Sequence, residues 1–242
     1  MVTDRVSISE IYSSIQGEGR NVGLPTTFVR LQGCPYRCSW CDSEYTWPFP
    51  REHETPIKDI LRQVRDLGNE WVCVTGGEPL AQQGVTTLFN SLLDYEFQVE
   101  CETSGGYPIY PHACKNNGHV GRREDSRYNP RVEWVLDLKC PDSGMEHIND
   151  YHNILHLRLQ DQVKFVIASQ SDFNFAMEKS IDIGIQLGQD IPTILFSPVW
   201  GPCDPAELVE WMLGAGTMVR ELGIRLSLQQ HKVIWPNVSK GV

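Results

Sequence analysis

Short apolar runs rich in β-branched residues alternate along this chain with longer amphipathic stretches. The runs 6–12, 26–31, 70–75, 97–103, 133–139, 162–168, 191–198 and 225–228 read as strands. Two of them, Trp71-Val72-Cys73-Val74 and Lys164-Phe165-Val166-Ile167, are nearly continuous and read as buried on both faces. Helical spacing marks 56–67, 84–94, 171–187 and 205–222. In the first of these, Ile57, Ile60, Leu61 and Val64 share one face. Thr55 before Pro56 predicts an N-cap followed by proline at the first helical position. The last opens in the same way at Asp204-Pro205, directs Leu208, Val209, Met212 and Leu213 to the core and stops near Gly223. Strands alternating with helices predict an α/β fold with parallel strands.

Residues 104–131 carry no sustained period and are rich in Gly, Pro, Asn and charge, so they read as an irregular insertion. Without a repeat or a linker, the 242 residues form one expected domain of barrel size, ending in a tail over 232–242. Polar clusters fall where strands end, which is where barrel-like α/β folds build their active sites. They are the loop after 26–31, Thr75-Gly76-Gly77-Glu78-Pro79, Glu102-Thr103-Ser104-Gly105, Asp137-Leu138-Lys139, Ser197-Pro198 and Gln230-His231-Lys232.

A formal net charge of -10 disfavours binding to nucleic acid phosphates. No apolar run is long enough to span a bilayer, and the first residues lack signal-peptide character. Eight cysteines in such a chain point to a reducing, cytoplasmic setting and to metal binding rather than disulfides. Cys73 and Cys101 read as strand residues facing a core.

Three of the cysteines, Cys34, Cys38 and Cys41, fall in the run Cys34-Pro35-Tyr36-Arg37-Cys38-Ser39-Trp40-Cys41. Thiolates so close together can reach one metal centre, and soft thiolates select zinc, copper(I) or iron–sulfur clusters. Structural zinc takes four protein ligands, and the local sequence supplies three. A [4Fe–4S] cluster on three cysteines leaves one iron open, and this spacing resembles that of the radical S-adenosylmethionine enzymes.

Beyond the cysteines, the runs Glu10-Ile11-Tyr12-Ser13-Ser14-Ile15-Gln16-Gly17-Glu18-Gly19, Phe28-Val29-Arg30-Leu31-Gln32-Gly33-Cys34 and Cys38-Ser39-Trp40-Cys41-Asp42-Ser43 resemble the 7-carboxy-7-deazaguanine synthase family. The resemblance implies a partial, modified (β/α) barrel, usually dimeric. It implies a [4Fe–4S] cluster, S-adenosylmethionine and Mg2+ as cofactors, and a reductant such as flavodoxin or ferredoxin. The implied reaction converts 6-carboxy-5,6,7,8-tetrahydropterin to 7-carboxy-7-deazaguanine and ammonia through a 5′-deoxyadenosyl radical.

Position by position, the resemblance implies that Ile15, Gln16 and Gly17 form a substrate-binding turn, joined by Thr75 and by His231. Arg30 lies in an otherwise apolar strand and needs an anion. That anion is the pterin carboxylate in the family, or a structural salt bridge. Trp40, Cys41, Asp42, Gly77, Glu102, Asp137, Leu138 and Lys139 match cofactor contacts, although some relatives have Ser-Pro-Lys at the last three. Ser43 stands where many relatives carry a threonine that binds Mg2+, and keeps an oxygen at similar reach. Two other readings share the cysteine run. One is a radical activase acting on a partner protein, which has no need of Gln16, Arg30 and His231. The other is a non-catalytic iron–sulfur or zinc protein, which needs a fourth protein ligand.

Overall fold

The computed structural model describes residues 3–49, 54–109, 132–238 and 240–242. Its strands are β1 (Arg5–Ile15), β2 (Pro25–Leu31), β3 (Glu54–Pro56), β4 (Trp71–Gly76), β5 (Gln98–Thr103), β6 (Val132–Leu138), β7 (Gln162–Ile167), β8 (Thr193–Pro198) and β9 (Ile224–Leu226). They join into one open sheet in the order β3-β1-β2-β4-β5-β6-β7-β8-β9, a partial (β/α) barrel. From β2 through β9 every neighbouring pair is parallel.

The expectation of parallel strands fails at one edge, where β1 runs antiparallel to both β2 and β3. The reason is the connection between β1 and β2. Gln16 N–H donates to the Leu24 carbonyl at 2.8 Å and Gly23 N–H to the Gln16 carbonyl at 2.7 Å, closing a tight reversal. A parallel return needs a crossover of a dozen or more residues.

The helices are α1 (Ile57–Leu67), α2 (Val85–Asp94), α3 (Gln170–Leu187), α4 (Pro205–Ala215), α5 (Thr217–Glu221) and α6 (Gln230–Ile234). Ile57, Ile60, Leu61 and Val64 of α1, with Leu88, Phe89 and Leu92 of α2, pack into a core that includes Val72, Val74, Val99, Trp134, Leu136 and Phe165 of the strands. The opposite, inner face of the same strands carries Thr75, Glu100, Lys164 and Gln162, buried but polar, and the half-buried Glu102.

Several local expectations change. Thr55 does not cap α1. Its backbone pairs with Val6, and Pro56 becomes the cap residue, with no side-chain cap hydrogen bond. The helix expected over 205–222 breaks at Gly216, whose φ of 51° lies in the left-handed region, so α4 and α5 are separate. Leu213 is 74% exposed rather than in the core, and Trp211 packs against Phe173 at 5.8 Å instead. Cys101 joins the apolar core as expected, but Cys73, although buried, shares the inner face with Glu100 and Glu102. Of the insertion expected over 104–131, residues 110–131 lie outside the described residues, as does Cys114.

Candidate active site

The loop after β2 carries Cys34, Cys38 and Cys41. It is held by main-chain bonds: Gly33 N–H to Thr46 O at 2.6 Å, Cys34 N–H to Trp47 O at 3.1 Å and Cys41 N–H to Cys38 O at 3.2 Å. Gly33 has φ of 102°, and a side-chain carbon at Gly77 would sit 2.3 Å from the Gly33 carbonyl oxygen. The glycine pair after β4 therefore lets its turn lie directly against the cysteine loop, tied by Glu78 N–H to Gly33 O at 2.9 Å. Glu78 itself is fully buried. It accepts from Thr103 Oγ1 at 2.7 Å and Ser104 N–H at 2.8 Å, joining the ends of β4 and β5.

All three cysteines are free and line one cavity of about 480 Å³. Burial, then the nearby Glu78 and the other two cysteines, pushes the Cys34 thiol up to about 11, and Cys38 is raised mainly by burial. Such thiols ionise when a metal displaces their protons.

Every residue expected in the site lines this cavity except Leu138. Leu138 is fully buried in the apolar core, because its side chain alternates to the outer face while Asp137 and Lys139 face inward. Arg30 finds an anion within the protein. Across the β1–β2 register it opposes Glu10, with Nε donating to Glu10 Oε1 at 2.7 Å and Nη2 to the Tyr12 hydroxyl at 2.8 Å. Tyr45 donates to the same Glu10 oxygen at 3.0 Å. These contacts take one edge of the guanidinium, and the cavity receives the rest.

The Gln16 amide points into a layer of carboxylates. Its Nε2 donates to Glu100 and, at 3.4 Å, to Glu102, while its Oε1 accepts from Glu18 N–H at 3.2 Å. Gln16 is buried, its backbone N–H and carbonyl close the β1–β2 reversal, and Ile15, Gln16 and Gly17 line the cavity. Thr75 Oγ1 donates to Glu102 Oε2 at 2.8 Å. Ligand atoms of Cys73, Glu100 and Glu102 lie within 4.8 Å of one another, a grouping hidden in the sequence because two strands supply it. Amide N–H groups of Gln16 and Asn21 already occupy both Glu100 oxygens, so donors rather than a cation satisfy this layer.

On the facing wall Lys139 pairs with Asp137 Oδ2 at 3.1 Å. Burial acts to lower the lysine, but Asp137 and Cys38 outweigh it and hold the ammonium above its ordinary value. Asp137 Oδ1 is buried without a partner among the described residues, as expected of an oxygen reserved for a ligand. Trp40 lines the cavity beside the cysteines, and Trp200, which the sequence reading did not single out, lines it after β8.

Helix α6, also unforeseen, brings His231 to the cavity. Gln230 N–H donates to Gly17 O at 3.0 Å, and a side-chain carbon at Gly17 would lie 2.3 Å from His231 Nδ1. Burial lowers the His231 imidazole, which favours its neutral form. Lys232 reaches Asp42 Oδ2 at 2.6 Å, and Ser43 Oγ donates to Asp42 Oδ1 at 3.0 Å. Trp235, Pro236, Val238 and Val242 of the tail line the cavity too, and Tyr12 donates to the Val242 carbonyl at 3.3 Å.

A sequence model of the Radical SAM superfamily matches residues 28–121. The fold is shared with the crystal structure of QueE from Escherichia coli, with a TM-score of 0.68 and 23% identity over 94% of this chain and 95% of that one. Fold and cysteine loop together define a radical S-adenosylmethionine protein, a class that carries a [4Fe–4S] cluster and S-adenosylmethionine.

Among characterised relatives, the 7-carboxy-7-deazaguanine synthase of Chlorobaculum tepidum is 37% identical over 98% of this chain and 97% of its own length. That of Koribacter versatilis is 34% identical over 98% and 100%. The chain belongs to the 7-carboxy-7-deazaguanine synthase family, and it is a carbon–nitrogen lyase of the radical S-adenosylmethionine class. No described helix is long and apolar enough to cross a membrane.

Proposed function

We propose that this chain converts 6-carboxy-5,6,7,8-tetrahydropterin to 7-carboxy-7-deazaguanine, releasing ammonia. The observation that carries this reading is the convergence of the cysteine loop, Arg30 and His231 on one cavity in a member of this family. When bound, the cluster and S-adenosylmethionine supply the electron and the 5′-deoxyadenosyl radical that abstracts hydrogen from the substrate. Cys34, Cys38 and Cys41 hold the cluster. Asp137 Oδ1, Glu102, Lys139 and the Trp40–Asp42 and Gly77 backbone hold the cofactor.

The substrate carboxylate lies against the free edge of Arg30, a charge-assisted contact. The Ile15–Gly17 turn lies against the pterin ring, and Thr75 and neutral His231 close on it. Ser43 supplies a hydroxyl oxygen to Mg2+, a hard cation that keeps several waters and needs few protein oxygens, and Asp42 accepts from that hydroxyl at 3.0 Å. The enzyme acts as a single-domain cytoplasmic homodimer, reduced by flavodoxin or ferredoxin.

The test is anaerobic. Reconstituted protein receives dithionite, S-adenosylmethionine, Mg2+ and the pterin, and mass spectrometry looks for 7-carboxy-7-deazaguanine. Product confirms reaction and substrate together. Slow 5′-deoxyadenosine release without product keeps the radical class and discards the substrate.

A further inference from the structure

Lys164 lies in the middle of β7 at 8% exposure, between neighbours Val163 and Phe165 that are fully buried. An ammonium taken that far from water costs several kcal/mol unless anions face it. Two do. Nζ is 3.3 Å from Glu18 Oε2 and 3.6 Å from Asp137 Oδ2. Burial opposes its charge, but these carboxylates, with a smaller contribution from Glu102, outweigh burial and keep Lys164 protonated.

The two carboxylates belong to opposite walls. Asp137 also pairs with Lys139 and keeps Oδ1 buried and unpartnered on the cofactor side. Glu18 follows the Gln16–Gly17 turn and accepts from Gln229 Nε2 at 2.9 Å, just before α6 and His231. One positive charge is thus shared between a cofactor wall and a substrate wall.

Building on the proposed function, we infer that Lys164 is a positioning residue that couples the two subsites, so that each ligand tightens the other's binding. A cationic cofactor that engages Asp137 weakens that carboxylate's hold on Lys164. The ammonium then shifts toward Glu18 and fixes the turn that meets the pterin. Linkage makes the effect reciprocal.

Equilibrium dialysis of S-adenosylmethionine against the cluster-loaded protein, without reductant, reads this directly. Adding 6-carboxytetrahydropterin should lower the cofactor Kd at least about fivefold in the wild type, the lower end of ordinary coupling. In Lys164→Met the ratio should fall to one with cluster iron retained, and Lys164→Arg should restore part of it. If Lys164→Met does not fold, Glu18→Gln cuts the same link from the other end and carries the same expectation. A wild type without coupling, or either neutral variant with coupling intact, overturns the inference. Wild-type product formation separates the two failures. Product without coupling sinks only the inference, whereas no product sinks the assigned substrate and the coupling with it.

Discussion

Glu100 sits on the inner face of β5 at 3% exposure, accepting from the Gln16 amide and from Asn21 Nδ2 at 2.8 Å. Burial first, and then the charge of Glu102, pushes its carboxyl from the ordinary 4.5 up to about 8. The folded protein therefore keeps a proton that the unfolded chain releases. Below pH 4.5 both states hold the proton. As pH rises from there toward 8 the unfolded state loses it first, so stability falls across that window and levels off above it.

Each pH unit inside the window is worth about 1.4 kcal/mol, so stability drops by about 2 kcal/mol between pH 6 and pH 8. In a chain of 242 residues that corresponds to roughly 4–8 °C in Tm. Glu100→Gln keeps the size of the side chain and has no proton to lose. Losing one acceptor oxygen costs it about 1–3 kcal/mol at every pH, which leaves the slope untouched. Differential scanning calorimetry of both proteins at pH 6, 7 and 8 reads the effect, because titrations of groups remote from Glu100 cancel in the difference. The wild type should lose Tm relative to Glu100→Gln as pH rises. Parallel melting curves would refute a neutral Glu100.

Other outcomes follow from the same geometry. Cys38→Ala should lose cluster iron and all cofactor cleavage, since the thiolate is a direct ligand; full retained activity sinks the assignment. Arg30→Ala should raise the substrate KM by roughly 10- to 100-fold, the worth of a charged hydrogen bond, while leaving the cofactor Kd nearly unchanged. Equal loss of both affinities would assign Arg30 to its Glu10 pair alone. Gly17→Ala should drive a methyl group against His231 and raise the substrate KM with cluster content intact, and an unchanged KM would show that α6 is free to move aside.

Eight of the strands were legible because burying a sheet demands apolar runs whatever the topology. The cysteine loop was legible because three cysteines within eight residues are a matter of chain reach. The short β3 was not, since three residues carry no period, and α6 hid because its five residues are stabilised by docking onto Gly17 and Asp42 rather than by propensity.

The strand segments 71–74 and 164–167 read as buried on both faces, and their outer face is apolar. The inner face proved to be a polar layer whose charges balance only once neighbouring strands are in register. Arg30 meets Glu10 through the β1–β2 pairing, and Lys164 meets Asp137 through β6–β7. Lys232 and Asp42 meet at 2.6 Å across 190 residues of chain. The sequence by itself determined most of the strands and helices, the cysteine spacing and the family, because local periodicity and covalent spacing survive without a fold. Which charges neutralise each other, and which faces they share, only the tertiary structure decided, because such pairing depends on distances between strands that no local pattern encodes.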